Sequence, residues 1–228
     1  MERSIYLGKL FGVDLRLHWT FLAVLVPLSI FLIVKGQLAI VGLILMLIAC
    51  VLLHEFGHIF AARRFGNDSL GITLSPIGGV AELNRASLSP KEEIIVALAG
   101  PLVNVALAGL AFIGIVIYGF SPDLKLEVTN PILTLFSINV VLAIFNLIPA
   151  YPMDGGRILR GILWTRIGES SATRFAARTG QALALAFCAI GIFWDPILAF
   201  IGMFIYFAAS AEIDRLNRAN KWDDYFSP

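Results

Sequence analysis

The chain has 228 residues, a formal net charge of +1, 58% hydrophobic residues and only 14% charged ones, with a mean hydropathy of +0.85. Soluble domains run nearer half apolar and one quarter charged. The composition therefore excludes a soluble enzyme, a disordered regulator and a secreted disulfide scaffold, and the balanced charge points to no nucleic-acid partner. Residues 19–34, 36–53, 94–122, 128–153, 179–194 and 196–211 contain no Asp, Glu, Lys or Arg and together make up 121 of the 228 residues. Crossing the bilayer core takes about 20 mainly apolar residues, and flanking side chains that snorkel extend the shorter runs. The fold class read from this pattern is a membrane all-α protein. It has six transmembrane helices and a small membrane-associated β-sheet on the cytoplasmic side.

Along the chain, Met1-Glu2-Arg3-Ser4 leads into mixed residues rather than an apolar signal core, so the run from Trp19 reads as a retained span. Val13-Asp14-Leu15-Arg16-Leu17 alternates apolar and polar, a strand pattern, with Gly12 supplying a turn before it. His18, beside Trp19 at the start of span one, reads as an interfacial anchor. Residues 70–83 read as a hairpin punctuated by Pro76 and Gly78-Gly79. In lipid such backbone survives only against protein or a water-filled cavity. Ser89-Pro90-Lys91-Glu92 predicts a capped start for span three, and Gly100-Pro101 predicts a kink within it. Span four should begin near Asn130-Pro131 and stop by Pro149. Residues 157–167 read as a short interfacial helix with Ile158, Leu159, Ile162 and Leu163 opposing Arg157, Arg160 and Arg166. Residues 1–211 form a single domain on this reading, and 212–228 a short cytoplasmic tail. Cys50 and Cys188, both inside apolar runs, are small buried residues, too few for a cysteine zinc site or a disulfide framework.

With six spans, 15 of the 17 Lys and Arg residues fall on one side of the membrane, and only Lys35 and Lys125 on the other. Basic residues accumulate in cytoplasmic loops, so both termini are expected in the cytoplasm.

The stretch that carries chemistry is Leu53-His54-Glu55-Phe56-Gly57-His58, at the cytoplasmic end of span two. Residues four apart share a helix face, so His54 and His58 can bind one zinc ion while Glu55 handles protons. The bland alternative is a set of polar residues at a helix end. An ionisable side chain at mid-membrane costs about 2.5–3.5 kcal/mol on insertion scales, so such residues are functional by default. A catalytic zinc needs a third protein ligand and an open position. Span four exits on the same side as span two, into Asn146-Leu147-Ile148-Pro149-Ala150-Tyr151-Pro152-Met153-Asp154-Gly155-Gly156. Asp154, set on an irregular turn directly after the uncharged run 128–153, is the candidate.

His54-Glu55-Phe56-Gly57-His58 together with Asn146 to Gly156 resembles the site-2 protease family of intramembrane zinc metalloproteases, and Gly100-Pro101-Leu102-Val103-Asn104 is similar to a further family motif. The resemblance covers residues 1 to about 211 and is greatest to the compact six-span prokaryotic branch. No PDZ module interrupts the spans, so selection of substrate by such a module is not expected, and the sequence departs from related members in showing no CBS pair after the last span. The resemblance implies one zinc ion per chain held by His54, His58 and Asp154. It implies Glu55 as general base and acid, and Asn146 as a residue that holds substrate near the metal. For Asn146 the alternative is a helix–helix hydrogen bond, and for Asn104 inter-helical packing. The implied activity is hydrolysis of peptide bonds within or near transmembrane helices of protein substrates in the bilayer. The rival reading is a non-proteolytic zinc transporter or scaffold, which leaves Glu55 without a task.

Overall fold

The computed structural model describes residues 4–67, 69–75, 78–83, 88–118 and 130–226. Pro76, Arg85, the Lys125 loop, Arg3 and the final two residues of the tail lie outside them. In chain order the elements are β1 (Ser4–Leu10), β2 (Val13–His18), α1 (Trp19–Val34), α2 (Leu38–Arg63), β3 (Ser69–Ser75), β4 (Gly78–Leu83), α3 (Pro90–Tyr118), α4 (Pro131–Asn146), α5 (Asp154–Ile167), α6 (Glu169–Trp194) and α7 (Pro196–Phe226). Among the described residues four helical segments are long and apolar enough to cross a membrane: Leu38–Arg63, Pro90–Ile117, Glu169–Trp194 and Pro196–Arg218. Helices α1 and α4 are apolar but have 16 residues each, about 24 Å at 1.5 Å per residue.

Two compact units are present, one comprising Met1–Ser87 and Ala99–Ala143, the other Leu88–Leu98 and Ile144–Pro228. The first contains a four-stranded sheet in the order β1-β2-β3-β4, with antiparallel outer pairs and a parallel β2–β3 pair. A parallel pair needs a long crossover, and α1 and α2 supply it. The alternation in β2 turns Val13 and Leu17 inward, where they join Ile72 and Leu74 of β3 against Phe56 and Ile59 of α2. The sheet is thus packed on the same turns of α2 that carry the histidine motif. β2 follows the alternation in the sequence, and β3 and β4 form the antiparallel hairpin expected over 70–83. β1 does not alternate: Ile5, Tyr6 and Leu7 are all exposed, and its strand conformation comes from pairing with β2 rather than from pattern. The turn between them is tied to the end of α2. Arg63 Nη1 donates to the Phe11 carbonyl at 2.8 Å, and the Phe11 ring meets Phe56 and Phe60 edge-on at 6.0 and 6.1 Å. His18 caps α1, its Nδ1 lying 2.6 Å from Thr20 Oγ1.

In the second unit, the start of α3 forms the capping box that its sequence predicts. Ser89 N–H donates to Glu92 Oε2 at 2.7 Å, and Glu92 N–H to Ser89 Oγ at 3.4 Å. Helix α3 continues through Pro101. The face of α6 that lies inward is small (Ala172, Ala176, Gly180 and Ala184 are buried), the spacing that lets membrane helices approach closely. Helix α5 departs from expectation in two ways. It starts at Asp154 rather than at 157. Arg160 also does not face outward: its Nε donates to Glu93 Oε1 at 2.8 Å, its Nη2 reaches the same oxygen, and Glu93 is 1% exposed. Removing one partner of a buried pair leaves the other charge uncompensated, a cost of roughly 3–5 kcal/mol, so the pair pins α5 to the first turn of α3. Burial pushes the nearby Tyr151 phenol up to about 12, keeping it neutral.

Candidate metal centre

His54, Glu55 and His58 lie in the last turns of α2, where Phe56 and Ile59 anchor the helix to the sheet. Both histidines are buried and Glu55 is half-buried. Four residues apart, the rings lie one turn apart and meet edge-on, with centroids 4.7 Å apart and planes at 85°. Their Nε2 atoms converge to 3.0 Å. Position 100 of α3 is glycine because the histidine rings occupy the space a side chain would need. A Cβ there would lie 2.7 Å from His54 Cε1 and press still closer on the His58 ring.

The outer edge of His54 is held as well. Its Nδ1 lies 2.5 Å from Asn104 Oδ1, and Asn104 Nδ2 donates to Asn139 Oδ1 at 2.9 Å. Both asparagines are fully buried. An amide oxygen only accepts, so His54 Nδ1 carries the proton and Nε2 keeps its lone pair, the state a metal ligand requires. Two Nε2 atoms this close together, on a buried histidine pair, suit a borderline divalent metal such as zinc.

In the second unit Asp154 is the first residue of α5, behind the N-cap Met153, and not on an irregular turn as the flanking prolines suggest. The irregular stretch is the preceding one, residues 147–153, with a cis Tyr151–Pro152 peptide. Helix α6 holds that stretch in place: Tyr151 N–H donates to Ala176 O at 3.1 Å and Thr179 Oγ1 to Pro149 O at 3.2 Å. Gly155 must be glycine, since a Cβ would lie 2.5 Å from Leu147 O and closer still to Ile148 O. Asp154 is buried, with Arg157 Nη1 3.8 Å from its Oδ1. Asn146 ends α4, half-buried.

Among the described residues, His54 and His58 are thus a buried histidine pair in the first unit, and Asp154 is a buried carboxylate in the second. Asn139 is a residue that sequence reasoning missed. A buried amide in an uncharged run is itself a signal, because polar groups in apolar surroundings need partners, but its partners stand 35 and 89 positions away.

The fold and site define a polytopic membrane protein with a histidine pair suited to zinc. The model of peptidase family M50 matches residues 42–123 and 113–187, and the chain belongs to that family. It is 39% identical over 216 residues to zinc metalloprotease MJ0392 of Methanocaldococcus jannaschii, covering 93% of this chain and 61% of that protein. To Rip3 of Mycobacterium tuberculosis it is 34% identical over 243 residues, covering 95% of this chain and 60% of that protein. The chain thus spans about three fifths of the length of these relatives. The solved site-2 protease from M. jannaschii superposes with a TM-score of 0.71 at 35% identity, covering 92% of this chain and 95% of that one. The resemblance read from the two motifs is therefore borne out, and the chain is a multi-pass membrane protein.

Proposed function

We propose that this protein is a zinc-dependent intramembrane endopeptidase that cleaves peptide bonds within or near transmembrane helices of protein substrates. The observation that carries the reading is the approach of His54 and His58 Nε2 to 3.0 Å, both side chains buried near the end of an apolar helix, in a chain of family M50. His54, His58 and Asp154 are the proposed ligands of one zinc ion. When bound, zinc supplies Lewis-acid chemistry, polarising a carbonyl and acidifying water at neutral pH. Glu55 takes the proton of the attacking water and passes it to the leaving amine. Asn146 holds the substrate backbone beside the metal. Peptide bonds inside a helix are already hydrogen-bonded, so the substrate unwinds before it is cut.

Residues 1–211 work as one protease domain on this proposal, with six spans that include α1 and α4, and 212–228 as a tail. Both termini and the sheet face the cytoplasm. The support is the 15-to-2 distribution of basic residues. Single cysteines introduced near positions 35 and 125 should then be labelled by an impermeant reagent only from the side opposite the termini. Labelling of every site from one side would overturn the six-span arrangement.

Strand β4 lies at one end of the sheet order, where an unwound segment can add as a further strand. Backbone pairing is sequence-tolerant and suits varied substrates. Proline substitutions along 78–83 should lower cleavage while zinc content is unchanged; undiminished turnover across the series would remove this docking role.

The whole proposal is tested by reconstituting the protein with a membrane-embedded helical substrate. Cleavage that disappears on chelation and returns with zinc is expected. Zinc movement across the vesicles without any cleavage would replace the protease with a transporter.

A further inference from the structure

We infer that Asn139 is a positioning residue that fixes the tautomer of His54 through Asn104, with the backbone carbonyl of Leu135 as the fixed end of the relay. The inference rests on the reading of His54 as a metal ligand. A peptide carbonyl can only accept a hydrogen bond. Leu135 O lies 2.8 Å from an amide terminus of Asn139, so that terminus is Nδ2. The second proton of the same NH₂ points to Cys50 Sγ at 3.3 Å, a weak acceptor that reinforces the choice. The other terminus of Asn139 is therefore Oδ1, and it accepts from Asn104 Nδ2 at 2.9 Å. That leaves Asn104 Oδ1 for His54 Nδ1, at 2.5 Å.

Each step removes a two-fold choice. An asparagine amide alone can turn over and offer NH₂ or oxygen at nearly equal cost. Asn104 cannot, because turning it would set its oxygen against Asn139 Oδ1. Asn139 in turn cannot, because its oxygen would then face Leu135 O. In a buried environment such a mismatch leaves polar groups unsatisfied, which is costly. The imidazole of His54 therefore meets an oxygen of Asn104 and never its NH₂. The ring is held as Nδ1–H with Nε2 presented to the metal position. The relay acts through His54, whose Nδ1 meets Asn104 Oδ1 at its near end. Cys50, which reads as a packing residue in the sequence, also serves as the acceptor that completes Asn139.

The test begins with the zinc-free parent protein in detergent, its histidines labelled with ¹⁵N. The nitrogen shifts of His54 should report a protonated Nδ1 and an unprotonated Nε2; the opposite tautomer would overturn the relay without any variant being made. Asn139→Leu, similar in size but unable to donate or accept, should convert His54 to a mixture of the two tautomers. Zinc affinity, measured by competition with a chelator, should fall by roughly 10–100-fold, the usual effect of losing an outer partner of a metal-bound histidine. Asn104→Ala should cost as much, and the double variant no more than the larger single change, because both remove one linked unit. Unchanged His54 shifts and zinc affinity in Asn139→Leu would refute the role. A parent protein that binds no zinc would refute the metal reading instead, while the tautomer measurement would still decide the relay.

Discussion

Glu55→Gln should lower cleavage of a membrane-embedded helix by about 10²–10⁴-fold, the usual worth of general acid–base assistance, while one zinc ion per chain stays bound. The substitution keeps the size of the side chain and its place between His54 and Phe56 on α2, so the sheet contacts of Phe56 and Ile59 are undisturbed. It removes only the ability to take and return a proton. A transit site for metal makes the reverse forecast, since Glu55 has no proton to move there and its amide would leave flux nearly unchanged. Measuring peptide cleavage and bound zinc on the same preparation therefore separates the two readings. Normal cleavage by Glu55→Gln would strip that residue of its role and require another base.

The features legible in the sequence are those that local chemistry determines. Runs without charge mark the apolar helices, and residues 19–34 coincide with α1. The capping serine and glutamate, at 89 and 92, fix the start of α3, and spacing of four puts His54 and His58 on one face. What was illegible depends on distant partners. β1 is a strand because β2 offers it a ladder. Arg160 looks like a headgroup-facing charge on an amphipathic helix, yet it turns inward because Glu93, 67 positions earlier, is buried and needs a counter-charge. Asp154 follows two prolines that suggest irregular backbone. The irregularity ends one residue before it, because Met153 supplies the extended N-cap and Gly155 allows the new helix to start against the carbonyls of 147 and 148. The proton position on His54 is the least local of all, being set by a carbonyl on another helix.

His54→Ala and Asp154→Asn should differ in kind from Glu55→Gln, with metal and activity falling together. Removing the His54 imidazole takes away one of the two proposed nitrogen ligands and opens a void beside Gly100 and Asn104, so zinc affinity should drop by roughly 100-fold or more, beyond the 10–100-fold typical of an outer partner. Asp154→Asn is the subtler change. The amide has the same shape, and Gly155 and the Met153 cap can still form the start of α5, so folding should survive. What is lost is the negative charge that a zinc ligand contributes, since a neutral amide oxygen is a far poorer ligand than a carboxylate. Arg157 then faces a neutral group 3.8 Å away, which adds repulsion toward any cation at the site. Zinc content after dialysis and cleavage rate should therefore fall in parallel for Asp154→Asn, and excess zinc should restore part of the rate. If the variant keeps zinc as tightly as the parent, Asp154 serves only to begin α5, and the third ligand is another carboxylate. If zinc is lost but cannot be restored at any concentration, the defect lies in the helix start rather than in the ligand, which the circular dichroism of the same sample would show as lost helix.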